Sequence, residues 1–328
     1  MAAEVDRIAI PETAARRRPA GGAGDTIFHG LTALFALLVL VILGGVLVSL
    51  LYGALPALEK FGFGFVFNGA WNPVTENFGA LAPIYGTLVT SLIAMLIGIP
   101  VAFGVALFIT ELCPKWLKRP LGTMIELLAA IPSIIYGIWG LFVLAPFIQE
   151  YVEPALIGTL GKIPGFGLLF AGPPLGIGVL TAGFILAIMV LPFIAAVMRD
   201  VFETVPPMLK ESAYGIGATT TEVVWQVVLP YTRIGVVGGI LLGLGRALGE
   251  TMAVTFVIGN SHHIHASILQ PGTTISAALA NEFTEAVGDL YQSSLIALGF
   301  ILFVITCVVL AAAKLMLLRL QKGAGASA

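Results

Sequence analysis

The stretch IYGTLVTSLIAMLIGIPVAFGVALFI, residues 84–109, carries no charged side chain in 26 positions. A helix of about 20 mostly apolar residues crosses the hydrocarbon core of a bilayer, so this stretch reads as a membrane span. Five further apolar stretches lie outward from it, at about 28–54, 121–148, 176–198, 234–259 and 292–318. Of the 328 residues, 58% are hydrophobic and 10% are charged. A soluble domain is about a quarter charged, and the mean hydropathy here is +1.02. These values exclude a soluble enzyme, a disordered chain and a nucleic-acid binder. The fold class they predict is an all-α membrane protein with six transmembrane helices. The formal charge of −2 gives no global attraction for any partner, so charge has to be read locally. Cys113 and Cys307 form neither a disulfide framework nor a thiolate metal site.

The first span follows a polar tail, residues 1–27, and is too long for a cleaved signal peptide; no small-residue cleavage site follows it. Lysine and arginine set the orientation. Thirteen of the sixteen basic residues fall on one side of a six-span arrangement. They are Arg7 and Arg16–Arg18 in the tail, Lys115, Lys118 and Arg119 after span two, Arg199, Lys210 and Arg233 after span four, and Lys314, Arg319 and Lys322 at the end. Lys60 and Lys162 fall on the other side. Both termini are therefore expected in the cytoplasm, with a second cytoplasmic tail at 319–328.

Pro100, Pro132, Pro146 and Pro192 lie in or near apolar helices, where neighbouring groups re-satisfy the freed backbone. Gly235, Gly239 and Gly243 form a small-residue stripe suited to close helix packing. The most informative segment is VPPMLKESAYGIGATTTEVVWQVVLP, residues 205–230. Pro207 suits the first turn of a helix, which is expected to run to about Tyr214 and break near Gly215 and Gly217. Thr219 and Glu222 have capping-box spacing and predict a second helix, with Pro230 at its end.

This segment resembles the EAA loop of ABC importer permeases, whose pattern is EAA, three residues, G, nine residues, I-x-L-P. Glu211, Ser212 and Ala213 occupy the first three places, with Ser replacing the second Ala. Gly217 falls on the glycine, Val227 on the isoleucine, and Leu229 and Pro230 close the motif. The resemblance implies a type I (MetI-like) permease fold and a coupling helix seated in a cytoplasmic ATPase. No phosphate-binding loop occurs in the chain: GTLGKI at 158–163 and GLGRALG at 243–249 have the wrong spacing. The chain is thus expected to be no enzyme itself and to hold no cofactor, with ATP hydrolysis supplied by a partner.

Glu126, Arg246 and Glu250 fall inside the predicted spans, and Lys314 lies near the end of span six, within snorkelling reach of the interface. A charge at membrane depth costs at least about 2.5 kcal/mol and marks a functional position by default. Arg246 and Glu250 are four residues apart, on one face of a helix. They form either a structural ion pair or, since a guanidinium binds oxyanions through paired hydrogen bonds, part of an anion path. Glu126 bridging span three to Arg246 is a further possibility. The three charges sum to −1, so an anion needs help from a second chain or from helix N-termini.

The strings around these charges, 126–143 and 242–260, closely resemble the phosphate-specific transport permeases, PstC and its paralogue PstA. Those at 85–112 and 290–306 look like the PstC branch. The resemblance covers about 85–318. It implies the membrane subunit of an inorganic phosphate importer in the bacterial inner membrane. The implied partners are a PstA-like permease as heterodimer, a PstB-like ATPase dimer and a PstS-like phosphate-binding protein, with Arg246 and Glu250 as the intramembrane charged motif of the phosphate path. Permeases for molybdate, sulfate or phosphonate are the alternative within the class, and an ion-coupled carrier the alternative outside it. His262, His263 and His265 are read as an ordered outer loop, since their spacing is weak for a metal. The acidic stretch 281–294 reads as a solvated helix face or part of a binding-protein dock. The Arg16–Arg18 run is expected to act as an orientation signal or to lie at anionic headgroups.

Overall fold

The computed structural model describes residues 23–165 and 167–325, with side chains from 24 to 318. Arg7, Arg16–Arg18, Arg319 and Lys322 therefore have no described side chains, and most of the tail expected at 1–27 lies outside the described residues. Six helices are long and apolar enough to span a bilayer among the described residues: α1 (Gly24–Phe61), α2 (Leu81–Leu112), α4 (Ser133–Lys162), α5 (Val179–Glu203), α7 (Thr220–Leu248) and α10 (Asp289–Leu318). The backbone of α10 stays helical to Gly325, through most of the tail expected at 319–328. Between the spans lie α3 (Lys115–Ala129), α6 (Pro207–Gly215), α8 (Met252–Thr255) and α9 (Ile275–Glu282). The described residues up to Ser49 and those from Leu50 on form separate compact units. The described part of the first is helical, with exposed apolar side chains such as Phe35 and Leu38; the packing below is that of the second.

The core of the second unit is α5. It is buried over most of its length, with Ile185, Leu186, Val190, Ile194 and Met198 fully enclosed. Small residues let its neighbours approach. A Cβ on Gly235, Gly239 or Gly243 of α7 meets Val201, Val197 or Ile194 of α5 at 2.5, 3.0 and 2.5 Å. The predicted stripe is thus a packing seam, in which van der Waals contact substitutes for the hydrophobic drive that lipid cannot supply. A second cluster gathers Ala54, Ala57, Phe65, Phe78, Ile275 and Leu298 at the end away from α3 and α6.

Three boundaries differ from the sequence reading. The stretch 121–148 is two elements. The amphipathic α3 ends at Ala129, and the apolar span begins only at Ser133, after Pro132, whose ring disfavours helical backbone at Ile131. Span five ends at Leu248 rather than near 259, because the chain breaks over Gly249–Thr251 before α8. Pro230 does not end a helix, since α7 passes through it unbroken.

Pro230 is accommodated by a π-turn over Val224–Val228, in which the Leu229 amide donates to the Val224 carbonyl. All four described π-turns end this way, with a residue before proline closing a wider turn. Cys113 precedes Pro114, Ala145 precedes Pro146, and Glu153 precedes Pro154. Widening the ring shifts the hydrogen-bond register where proline supplies no N–H.

Candidate functional site

The coupling segment is built from its caps. α6 starts at Pro207, and its end is closed by Gly217, whose φ of +91° is left-handed and favours glycine. There the Gly217 amide donates to the Tyr214 carbonyl at 2.9 Å and the Ala218 amide to the Ala213 carbonyl at 3.1 Å. Thr219 and Glu222 then form the predicted capping box. The Thr219 amide donates to Glu222 Oε2 at 2.8 Å, and the Glu222 amide donates to Thr219 Oγ1 at 3.4 Å.

Between the caps the loop presents an exposed face. Met208 and Ile216 are 75% and 89% exposed, and Glu211 is exposed without an ion-pair partner among the described residues. The opposite face is anchored: Lys210 Nζ lies 2.5 Å from Glu111 Oε1 at the end of α2, with that carboxylate only 6% exposed. Ser212 is tied to its own helix, donating to the Met208 carbonyl at 2.7 Å. Leu229 and Pro230 lie inside α7, so the loop and that span are mechanically continuous.

The three ionisable residues assigned to spans separate. Glu126 is on α3, half-exposed, with Oε1 2.7 Å from Arg199 Nη2. It is not at membrane depth in a spanning helix and does not meet Arg246. Arg246 occupies the last turn of α7, where the helix dipole favours a cation. Glu250 lies beyond the helix end, so the expected shared face does not exist. Its Oε1 instead accepts from the Ala253 amide at 3.2 Å. Among the described residues no carboxylate comes within 4.0 Å of Arg246. The guanidinium is exposed and lies 5.7 Å from the Phe193 ring centroid. A span thus ends at a break with a cation that no carboxylate among the described residues compensates.

A cluster at the opposite end was missed by sequence reasoning. The Glu282 carboxylate accepts from Trp71 Nε1 at 2.7 Å and from the Tyr291 hydroxyl at 2.7 Å, and lies 2.6 Å from His262 Nε2. The Trp71 and His262 rings are stacked, with centroids 4.9 Å apart. Burial opposes ionisation of Glu282, yet the hydrogen bonds from His262, Tyr291 and Trp71 prevail and hold its carboxyl below the ordinary range. Glu282 is therefore no part of a solvated face, although Glu285 and Asp289 are exposed. His262 is committed to this cluster, apart from the neighbouring pair His263 and His265.

Residues 94–322 match the family described as binding-protein-dependent transport system inner membrane component. The chain belongs to this family. It is 64% identical over 302 residues to the phosphate transport system permease protein PstC of Mesorhizobium japonicum, covering 92% of each chain. It is 57% identical to the protein of the same name from Pasteurella multocida, over 92% of this chain and 94% of that one. Among solved structures, a bacterial alginate ABC transporter in complex with its periplasmic protein aligns with TM-score 0.57 at 19% identity, over 88% of this chain and 95% of that one. The MetNI methionine ABC transporter aligns with TM-score 0.54 at 17% identity, over 72% and 94%. The MetI-like importer fold expected from the loop is thus the observed fold. As a permease of this family, the chain is a multi-pass inner-membrane component of a transporter.

Proposed function

We infer that this permease is the membrane subunit of an ATP-driven importer of inorganic phosphate, forming half of the translocation path. The observation that carries the reading is Arg246, a guanidinium in the last turn of a span, at a helix break, with no carboxylate partner among the described residues. A phosphate dianion leaving water needs fixed donors or positive charge, since bare burial of a charge is prohibitive. An Arg fork offers two parallel charge-assisted hydrogen bonds. The names of the relatives with 64% and 57% identity support phosphate as the cargo. Glu250, four residues on and accepting from the Ala253 amide, lines the same break, where its negative charge opposes tight binding of an anion and favours release.

The exposed α6 knob is the docking element for a PstB-like ATPase dimer, and its continuity with α7 turns a push on the loop into movement of the Arg246 break. A PstA-like permease supplies the other half of the path, and a PstS-like binding protein delivers phosphate at the end that carries Trp71 and Glu282. Both termini and the α6 loop lie on the cytoplasmic side, as the lysine and arginine bias requires.

The test is uptake of labelled phosphate by vesicles holding the reconstituted complex, with molybdate and sulfate as competitors. Phosphate uptake that needs ATP and resists both competitors is expected. Preferential uptake of another oxyanion overturns the cargo. Uptake that persists without ATP, driven by an ion gradient, overturns the class.

A further inference from the structure

Helix α3 has three faces. One is held against α5, where a Cβ on Gly122 meets the Arg199 guanidinium at 2.5 Å. A second, Trp116, Pro120, Met124, Leu127 and Leu128, recurs at helical spacing and is exposed; Trp116 and Leu127 are 75% and 65% accessible. The third, Lys115, Arg119, Thr123 and Glu126, is polar and exposed beside it. Along the apolar stripe runs an open apolar groove of about 500 Å³ between α3 and the end of α2, lined by Val101, Phe108, Met124 and Leu128. Along the polar stripe runs an open cleft of about 420 Å³ lined by Lys115, Lys118, Arg119 and Arg199.

The charges in that cleft are not equivalent. Arg199 is held by Glu126 and Asp200 at 2.7 Å each, and Lys118 faces Glu203 at 3.6 Å. Lys115 and Arg119 have no carboxylate within 4.0 Å among the described residues. They stand in the first turns of the helix, where the dipole is positive and cations are disfavoured. Two uncompensated cations beside an exposed apolar stripe headed by tryptophan match a helix lying in a membrane interface. Its apolar face enters the acyl boundary and its basic residues meet headgroups.

We propose that α3 is a binding site for anionic phospholipid, with the headgroup phosphate held by Lys115 and Arg119 and an acyl chain in the groove beside Met124 and Leu128. The occupant is lipid rather than free phosphate because the apolar groove and the cationic cleft flank one helix, and only an amphiphile uses both. Arg246 lines neither the groove nor the cleft, and the proposal does not depend on the cargo.

The test uses the intact complex in phosphatidylcholine vesicles carrying equal fractions of bromine-labelled phosphatidylglycerol or bromine-labelled phosphatidylcholine. Subtracting the emission of Trp116→Phe isolates Trp116. The brominated anionic lipid is expected to quench Trp116 more strongly than the zwitterionic one. Lys115→Gln with Arg119→Gln is expected to lose that preference, by about five-fold in relative affinity for each charge removed. Lys162→Gln, at the far end of the molecule, leaves it intact, as does excess inorganic phosphate. Quenching of Trp116 by neither lipid shows the stripe covered by protein and overturns the proposal. Equal quenching by both lipids, a preference abolished by inorganic phosphate, or an equal loss in Lys162→Gln overturns it as well.

Discussion

Two glycines two residues apart in the α6 loop separate conformational strain from packing. Gly217 has a φ of +91°, and a Cβ there meets nothing within 4 Å. Alanine at this position therefore costs only the strain of a left-handed L-residue, about 1–2 kcal/mol. That lowers the population of the native turn about 5- to 30-fold relative to competing loop conformations. Gly215 also has open space around its Cβ position but no left-handed backbone. Alanine there is neutral or stabilises α6 by up to about 1 kcal/mol. The assay is phosphate uptake by the reconstituted complex alongside its ATP hydrolysis. Gly217→Ala is expected to cut uptake by up to the factor above, while raising ATP consumed per phosphate imported. Gly215→Ala is expected to transport normally. Equal behaviour of the two variants, whether both normal or both impaired, refutes the idea that the left-handed turn sets the docking shape.

Exchanging the charges, Arg246→Glu with Glu250→Arg, should leave uptake abolished in labelled-phosphate assays while the complex still purifies with its ATPase; restored uptake means the two residues are merely a pair. Lys210→Ala strands the buried Glu111 carboxylate and should weaken the anchoring of α6 by about 2 kcal/mol. That is less than the 3–5 of a fully buried pair because Lys210 keeps some exposure. Faster hydrogen exchange over 207–216, unaccompanied by change near 262–291, is the readout. The Glu282 cluster should be sensitive to acid. A carboxyl held below its unfolded value contributes stability that is complete above about pH 4.3 and is lost as pH falls through the lower folded value. Hydrogen exchange over 259–291 should therefore rise only in acid, and Glu282→Gln should remove that dependence. With Cys113 and Cys307 replaced, cysteine at exposed Ile216 should label from the cytoplasmic side, and cysteine at exposed Val74 or Val287 from the other.

Hydropathy is a sum over neighbours in the chain, so the number of spans was legible in the sequence. So were the Thr219–Glu222 box and the Gly217 turn, because a cap is a contact between residues three or four apart. The glycine stripe of α7 could be read as a packing face, although its partners on α5 could not. Proline alone did not announce the π-turns, because Pro56, Pro100, Pro120 and Pro192 sit inside regular helices. What the sequence left open was the pairing of charges. Glu126 finds Arg199, 73 residues away, and Trp71 reaches Glu282 across 211. Span three was misplaced because apolar content alone does not distinguish an interfacial stripe from a span. Pro132 and the charged face of α3 decide that boundary only once α3 is packed against α5. Whether Arg246 meets Glu250 likewise depended on where α7 stops. Spacing alone puts them on one face, but the break at Gly249–Thr251 parts them and leaves the cation unpaired. Such choices rest on electrostatics and close packing between distant segments, which exist only in the folded chain.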